Sequence, residues 1–201
     1  MEFEKEVFSR DSKSKILLLN EIQSQDFQDI YSTQLERLTL IPPGIEKNWN
    51  VHESINIPEK FNLPKNEKII LFVGSDFSRK GLDRAILGIS HLLKQNISAT
   101  LLVLGDDKKG PYEKTIKELS LNGRVIFLGP RKDVASFMKS SHLLVHPARE
   151  EAAGNIIIEA LVSGLPSLVS SEVGFSTVVL KHKSGMVVEG EFKQERFNFL
   201  L

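Results

Sequence analysis

Glu151 and Glu159 are separated by seven residues in Glu151-Ala-Ala-Gly-Asn-Ile-Ile-Ile-Glu159, and the second of them stands inside the apolar run from Ile156 to Val162. Taking an ionised carboxylate out of water costs several kcal/mol unless hydrogen bonds or opposite charge compensate it. Glu159 therefore calls for a partner, and either a core Arg or Lys or a hydroxyl-rich ligand would serve. Gly154 and Asn155 open a predicted helix, whose unpaired first-turn amides and dipole attract anions. Glu159 lies four residues beyond Asn155, on the same helical face, so its carboxylate can turn toward a ligand held at that N-terminus. Glu151 precedes the helix, either in the loop beneath the same ligand or as a solvated loop charge.

Arg79 and Lys80 form a second group, just before Gly81 and another predicted helix. Two adjacent cations can clamp a diphosphate, Arg through paired planar donors and Lys as a point charge. Taken alone, a short basic pair reads more readily as exposed surface on a helix-entry loop. His146-Pro147 reads as a structural histidine that holds a turn or bonds the backbone. His52, His91, His142 and His182 show no metal-ligand spacing. Asp106 and Asp107 read as solvated loop acids, with cation binding as the alternative. Ser167, Ser170 and Ser171 lack the glycine-flanked elbow of a nucleophilic serine. No G-x-G-x-x-G pattern is present, which argues against a nicotinamide oxidoreductase.

Alternating strands and helices must position these groups. Short β-branched or aliphatic runs predict strands over 15–19, 38–41, 69–73, 100–104, 125–128, 143–146 and 167–170. Helical spacing covers 82–94, 112–119, 133–140 and 155–163. Continuous apolar runs at 69–73 and 101–104 indicate strands buried on both faces, hence helices on both sides of the sheet. The expectation is an α/β fold with a doubly wound, parallel, Rossmann-like sheet. Four turns follow strands: Gly74 to Gly81, Gly105 to Gly110, Gly129 to Asp133 and His146 to Glu151. All lie at carboxyl ends, the edge where open parallel sheets hold ligands. Residues 42–66, with four prolines and Trp49, read as a hinge and an irregular connector.

At 201 residues the chain can bury one sizeable core. Twenty-six basic residues balance twenty-six acidic ones, so no net charge draws a polyanion, and nucleic acid is not expected as a partner. No cysteine is present, which removes disulfides and thiolate metal sites. Apolar stretches fall well short of the roughly 20 residues that span a bilayer, and residues 1–10 lack the apolar centre of a signal peptide. The expected location is cytoplasmic. The final residues from Phe192 onward are rich in Phe and Leu, an apolar tail that needs cover where a helix would be starting.

Together these residues resemble glycosyltransferase family 4, retaining enzymes with the GT-B fold. The resemblance rests on the E-x7-E spacing of Glu151 and Glu159 with Ala160-Leu-Val-Ser-Gly-Leu-Pro166 after it, on Pro42-Pro43-Gly44-Ile45, and on Val73-Gly-Ser-Asp-Phe-Ser-Arg-Lys-Gly81. Within that family the pattern is similar to lipopolysaccharide core glucosyltransferases that add glucose to heptose, over roughly residues 8–190.

The resemblance implies a UDP-sugar donor and no metal or other cofactor. It implies Arg79 and Lys80 on the diphosphate, Glu151 on the sugar ring and Glu159 on the ribose hydroxyls. Arg131 would stand by the uracil, with Gly74, Ala153, Gly154, Asn155 and Ile156 around the donor. It further implies that residues 1–41 are a remnant of the acceptor-binding domain and interdomain link. Residues 42–201 would then be the donor domain, truncated at its C-terminus. A glycolipid acceptor would reach the chain through the missing domain, supplied by a separate protein, at the inner membrane. The alternative is a noncatalytic remnant that at most binds UDP or UDP-sugar.

Overall fold

In a computed structural model of the chain, residues 2–47, 49 and 53–201 are described. Six strands form one parallel sheet: β3 (Lys68–Val73), β4 (Ala99–Leu104), β5 (Val125–Gly129), β6 (Leu143–His146), β7 (Ser167–Ser170) and β8 (Gly185–Val188). Their spatial order is β5-β4-β3-β6-β7-β8. The chain builds outward from β3 through β4 to β5, then returns to the middle and builds the other way from β6. The reversal falls between β3 and β6, which pair in register Ile70 to Leu143 and Leu71 to Leu144. In a doubly wound sheet the loops leaving the two strands at such a point diverge and leave a crevice.

Strand alternation divides the core in two. Ile69, Leu71, Leu102, Leu144 and Val169 face one side, under α6 (Val134–Lys139), α7 (Asn155–Val162) and α8 (Ser176–Lys181). Ile70, Phe72, Leu101, Val103 and Leu168 face the other, under α4 (Leu82–Lys94), α5 (Gly110–Glu118) and α9 (Gln194–Leu200). Both faces are dry, as the unbroken apolar runs of β3 and β4 require. Each fully buried aliphatic or Phe side chain contributes about 1.5–3 kcal/mol relative to exposure.

The C-terminal tail departs from the sequence expectation. A helix does not merely begin there: α9 is formed, and Phe197 and Leu201 lie against Gly88 of α4, where a Cβ would meet the Phe197 ring at 2.9 Å. Phe192 takes the Arg84 guanidinium over its ring at 3.7 Å, whereas Phe199 stays exposed. Strand β8 and helix α8 were also not expected. The apolar run of β8 is only Met186-Val187-Val188, with Met186 exposed on the sheet edge, and the β-branched residues of α8 carry no helical signal. Within the connector a short helix α3 (Ile57–Lys60) forms behind Asn56, whose side chain caps the Glu59 amide. Trp49 donates to Ser163 Oγ at 2.9 Å. His52 lies outside the described residues.

Residues 2–41 make a separate layer. Helix α1 (Glu2–Phe8), β1 (Ile16–Leu18), α2 (Ile22–Tyr31) and β2 (Leu38–Leu40) surround a parallel pair, β1 with β2. Buried Arg37 donates to the carbonyls of Val7, Ser9 and Ser14, and Phe8 stacks edge-on with Phe27. Leu17, Leu19, Ile22, Ile30, Leu35, Leu40 and Ile41 remain exposed in this layer.

Candidate functional site

The loops leaving β3 and β6 meet at the switch point. After β3 the chain turns through Gly74 to Gly81, and Asp107 from the loop after β4 braces it by accepting the Phe77 N–H at 2.7 Å. Gly81 holds φ of 78° and packs on the Pro147 carbonyl, so any side chain there is excluded both by conformation and by contact. Arg149 extends the clamp between the loops, pairing through both nitrogens with Asp83 at 2.9 and 2.7 Å and donating to Ser78 O. Lys80 lies directly over Gly74, whose added Cβ would meet Lys80 Cδ at 2.6 Å.

After β6, residues 147–154 are tied to the loop after β7. Glu151 bridges Val173 in parallel fashion, Gly174 N–H donates to Glu151 O and Phe175 N–H to Ala153 O, each at 2.9 Å. Asn20, beyond β1, donates through Nδ2 to Ala152 O, so the N-terminal layer is fastened to this loop as well. Gly154 caps α7 at φ 86°, with Val173 Cγ1 only 2.7 Å from where a Cβ would stand. Three loops thus present the first turn of α7 to one pocket of about 400 Å³. It is lined by Leu19, Pro43, Lys80 and residues 151–156.

Charge converges on one oxygen of the pocket. Glu151 Oε2 stands 3.2 Å from Lys80 Nζ, 3.3 Å from an Arg79 guanidinium nitrogen and 3.8 Å from His146 Nε2. The His146 imidazole, then the Lys80 ammonium, holds the Glu151 carboxyl down to about 2 against the burial that would raise it. Arg79 also donates to Asp76 Oδ2 at 2.8 Å and to Glu150 O at 2.7 Å. These contacts fan the guanidinium over the loop.

Glu159 behaves oppositely. It is half-buried on α7, its carboxylate makes no hydrogen bond or ion pair among the described residues, and burial followed by the nearby Glu46 carboxylate raises its pKa. The partner demanded by its apolar surroundings is not supplied by the described residues.

Of the residues singled out from sequence, the structure brings together Gly74, Arg79, Lys80, Glu151, Ala153, Gly154, Asn155 and Ile156. Arg131 stands apart at the end of β5, exposed and paired with Asp133 at 2.6 Å. Glu159 sits one turn into α7 and does not line the pocket. Sequence reasoning missed Asn20 and Asp76, and it gave His146 a backbone role that the structure does not show. No group of three or more His, Asp or Glu residues converges as a metal site among the described residues. No helix among them is long and apolar enough to cross a membrane. A larger cavity, about 780 Å³, opens at the opposite, amino edge of the sheet between Lys68, His142, Pro166 and Leu201. It lies a full strand length from Glu151, so it has no part in this chemistry.

Residues 53–199 match the family described as glycosyl transferases group 1. The lipopolysaccharide glucosyltransferase WaaG of Escherichia coli K12 is 35% identical over 205 aligned positions, which cover 99% of this chain and 55% of that protein. A D-inositol 3-phosphate glycosyltransferase of Xylanimonas cellulosilytica is 25% identical, covering 84% of this chain and 43% of its own length. The chain thus spans about half the length of the curated relatives it matches. The crystal structure of WaaG, a glycosyltransferase involved in lipopolysaccharide biosynthesis, superposes with a TM-score of 0.87 at 33% identity over 99% of this chain and 55% of that one. Anabaena HepE in complex with UDP-glucose superposes at 0.77 and 20% identity, covering 95% of this chain and 54% of that one; at this identity the likeness is one of fold.

Proposed function

The chain belongs to the group 1 glycosyl transferases, and from that premise we propose that it is the donor-binding half of a retaining enzyme that transfers a hexose from a UDP-sugar. Glucose is our reading of the hexose, and a lipopolysaccharide core or related glycan our reading of the acceptor. The observation that carries the proposal is the convergence of Arg79, Lys80 and Glu151 on a pocket floored by the first turn of α7.

In this reading Arg79 and Lys80 take the diphosphate, and the amides around Ala153, Gly154, Asn155 and Ile156 meet phosphate or sugar oxygens. Glu151 accepts from the hexose hydroxyls and Glu159 from the ribose. The lack of a partner for the half-buried Glu159 carboxylate among the described residues supports its place, since a ribose diol would supply the missing donors. Arg131 stands beside the uracil: it follows β5, two strands from β3, or about 10 Å along the ligand edge at ordinary strand spacing. Gly74 leaves room for Lys80.

Transfer breaks the bond between the anomeric carbon and the diphosphate oxygen, and the electron pair departs with the diphosphate. The acceptor hydroxyl bonds to the anomeric carbon on the same face, and its proton passes to the departing phosphate oxygen. Negative charge grows on the diphosphate as the bond stretches, so fixed cations stabilise the transition state more than the ground state. Contacts to the hexose hold the anomeric carbon in line with the acceptor. Arg79 and Lys80 fill the place a metal would take, and no cofactor enters the scheme.

The acceptor is proposed to reach the site on a second domain that covers β1 and β2. A two-stranded parallel pair that buries Ile16 and Leu18 on one face and leaves Leu17 and Leu40 exposed is not self-sufficient, which supports such a neighbour. This layer, residues 1–41, we read as belonging to the acceptor domain, and residues 42–201 as the donor domain. A glycolipid acceptor and a cytoplasmic nucleotide sugar would place the chain in the cytoplasm, peripheral at the inner membrane.

Calorimetry with UDP and UDP-glucose tests the donor site. Heat from both is expected, and none up to millimolar ligand would refute it. Hexose transfer that appears on mixing with an acceptor-domain protein separates a split enzyme from a chain that only binds the nucleotide.

A further inference from the structure

His146 is fully buried, and both of its ring nitrogens lack a hydrogen-bond partner. Leaving such atoms unsatisfied is costly, and a purely space-filling position would be served better by Leu or Phe. The ring is nevertheless held on rigid backbone. His146 ends β6 in register with Val169, and the Pro147 carbonyl accepts from Arg84 at 3.0 Å. Ser170 Oγ donates to Ala148 O at 2.6 Å, and Arg149 N–H donates to Arg79 O at 2.7 Å. An imidazole fixed this way keeps its place whatever a ligand does to the loops around it.

Its polar neighbour is Glu151 Oε2, at 3.8 Å. The same oxygen is the near one to Lys80 and Arg79, while Oε1 takes no hydrogen bond among the described residues. Burial pushes the His146 pKa down despite the pull of Glu151, and the Lys80 and Arg79 charges push it the same way. The ring is therefore neutral, with one bare nitrogen and one N–H. Because Glu151 is ionised, a bare Nε2 would set lone pair against lone pair. The proton belongs on Nε2.

The two cations on Oε2 are those the donor reading assigns to the diphosphate, so a bound nucleotide takes from Glu151 both of its charged partners. His146 cannot follow them. We propose that His146 is a positioning residue: its Nε2–H, which already faces Glu151 Oε2 at 3.8 Å, closes to a full hydrogen bond with it when Arg79 and Lys80 turn to the diphosphate, leaving Oε1 free for a hexose hydroxyl. This rests on the donor reading and adds to it a handover in which the imidazole contacts no part of the ligand.

Two measurements on the full chain test it. Ring nitrogen NMR of the labelled wild-type protein at pH 7 is expected to show one neutral, solvent-shielded Nε2–H imidazole whose proton moves downfield on adding UDP-glucose. An Nδ1–H tautomer or an imidazolium overturns the proposal without touching the donor reading. In calorimetry His146→Phe is expected to bind UDP within about twofold of wild type and UDP-glucose about tenfold more weakly, the fold-change of one hydrogen bond to a charged group. His146→Gln, which restores a donor near Nε2, should recover most of that loss. Equal weakening of both ligands by His146→Phe would mean a structural role only and overturns the proposal, as does no change in either. Binding of neither ligand by wild type refutes the donor reading itself and the handover with it, while the tautomer still reports whether the imidazole faces the carboxylate.

Discussion

Glu151→Gln tests whether the charge convergence in the pocket is energetically real. In the folded chain the Glu151 carboxyl is held at about 2, against an ordinary value of 4.5. Its side chain is 16% exposed, so solvent screens the pairing only slightly. A depressed folded pKa contributes stability that is fully present above the unfolded value and is lost as pH falls through the folded one. The shift corresponds to about 3 kcal/mol at pH 7, of which about 2 kcal/mol is gone by pH 3.

Gln keeps the shape and removes the titration. Urea unfolding of wild type and Glu151→Gln, followed by the fluorescence of Trp49 and by circular dichroism, gives a stability difference at each pH. Asp76, Asp83, Asp133 and Glu67 are also held below their ordinary range, but they titrate in both proteins and cancel in the difference. The expected difference is flat from pH 8 to 5 and shrinks by about 2 kcal/mol between pH 5 and 3. A difference constant to within about 0.5 kcal/mol over that interval would show that Lys80, Arg79 and His146 do not hold the carboxylate, and the geometry of the pocket would have to be redrawn.

Glu159→Gln should act with the opposite sign. A carboxyl whose folded pKa is raised costs stability as pH climbs through that pKa, so the variant is expected to be more stable than wild type at pH 8 and no more stable at pH 4. Chemical denaturation at the two pH values checks this, while calorimetry should show weaker UDP binding if Glu159 holds the ribose. Arg79→Ala should weaken UDP about tenfold by calorimetry, through loss of a charge-assisted pair, and unchanged affinity would remove Arg79 from the diphosphate site. Gly154→Ala forces a side chain into left-handed backbone beside Val173, and a loss of about 1–3 kcal/mol is expected in urea unfolding.

The sheet was legible because its central strands are buried on both faces, so Ile69 to Val73 and Leu101 to Leu104 appear as unbroken apolar runs. Strand β8 was hidden because its apolar run is only three residues long, Met186 to Val188, after Gly185. In the site, Arg79, Lys80 and the turn at Gly154 could be read from type and position at strand ends. The pairing of Lys80 with Glu151 could not, since the two are brought together only by the switch in strand order. Asn20 was equally silent: its partner, Ala152, is 132 positions away and contributes a backbone carbonyl, which any residue type would supply. His146 was legible as a strand-ending histidine, but its distance to Glu151 depends on how the intervening loop folds back on Val173.

The reversal of strand order between β3 and β6 also dictates when the pocket can exist during folding. Arg79 and Glu151 meet across 72 positions of sequence, and the β3–β4–β5 half can form from nearer contacts before β6 is placed. Closing so long a loop costs entropy before any contact repays it, and such late contacts slow the chain's final steps. Until β6 docks against β3, Lys80 and Arg79 have no carboxylate opposite them. A ligand that engages the assembled pocket therefore binds only chains that have finished this step, so binding of the proposed nucleotide would report the docking of β6 on β3.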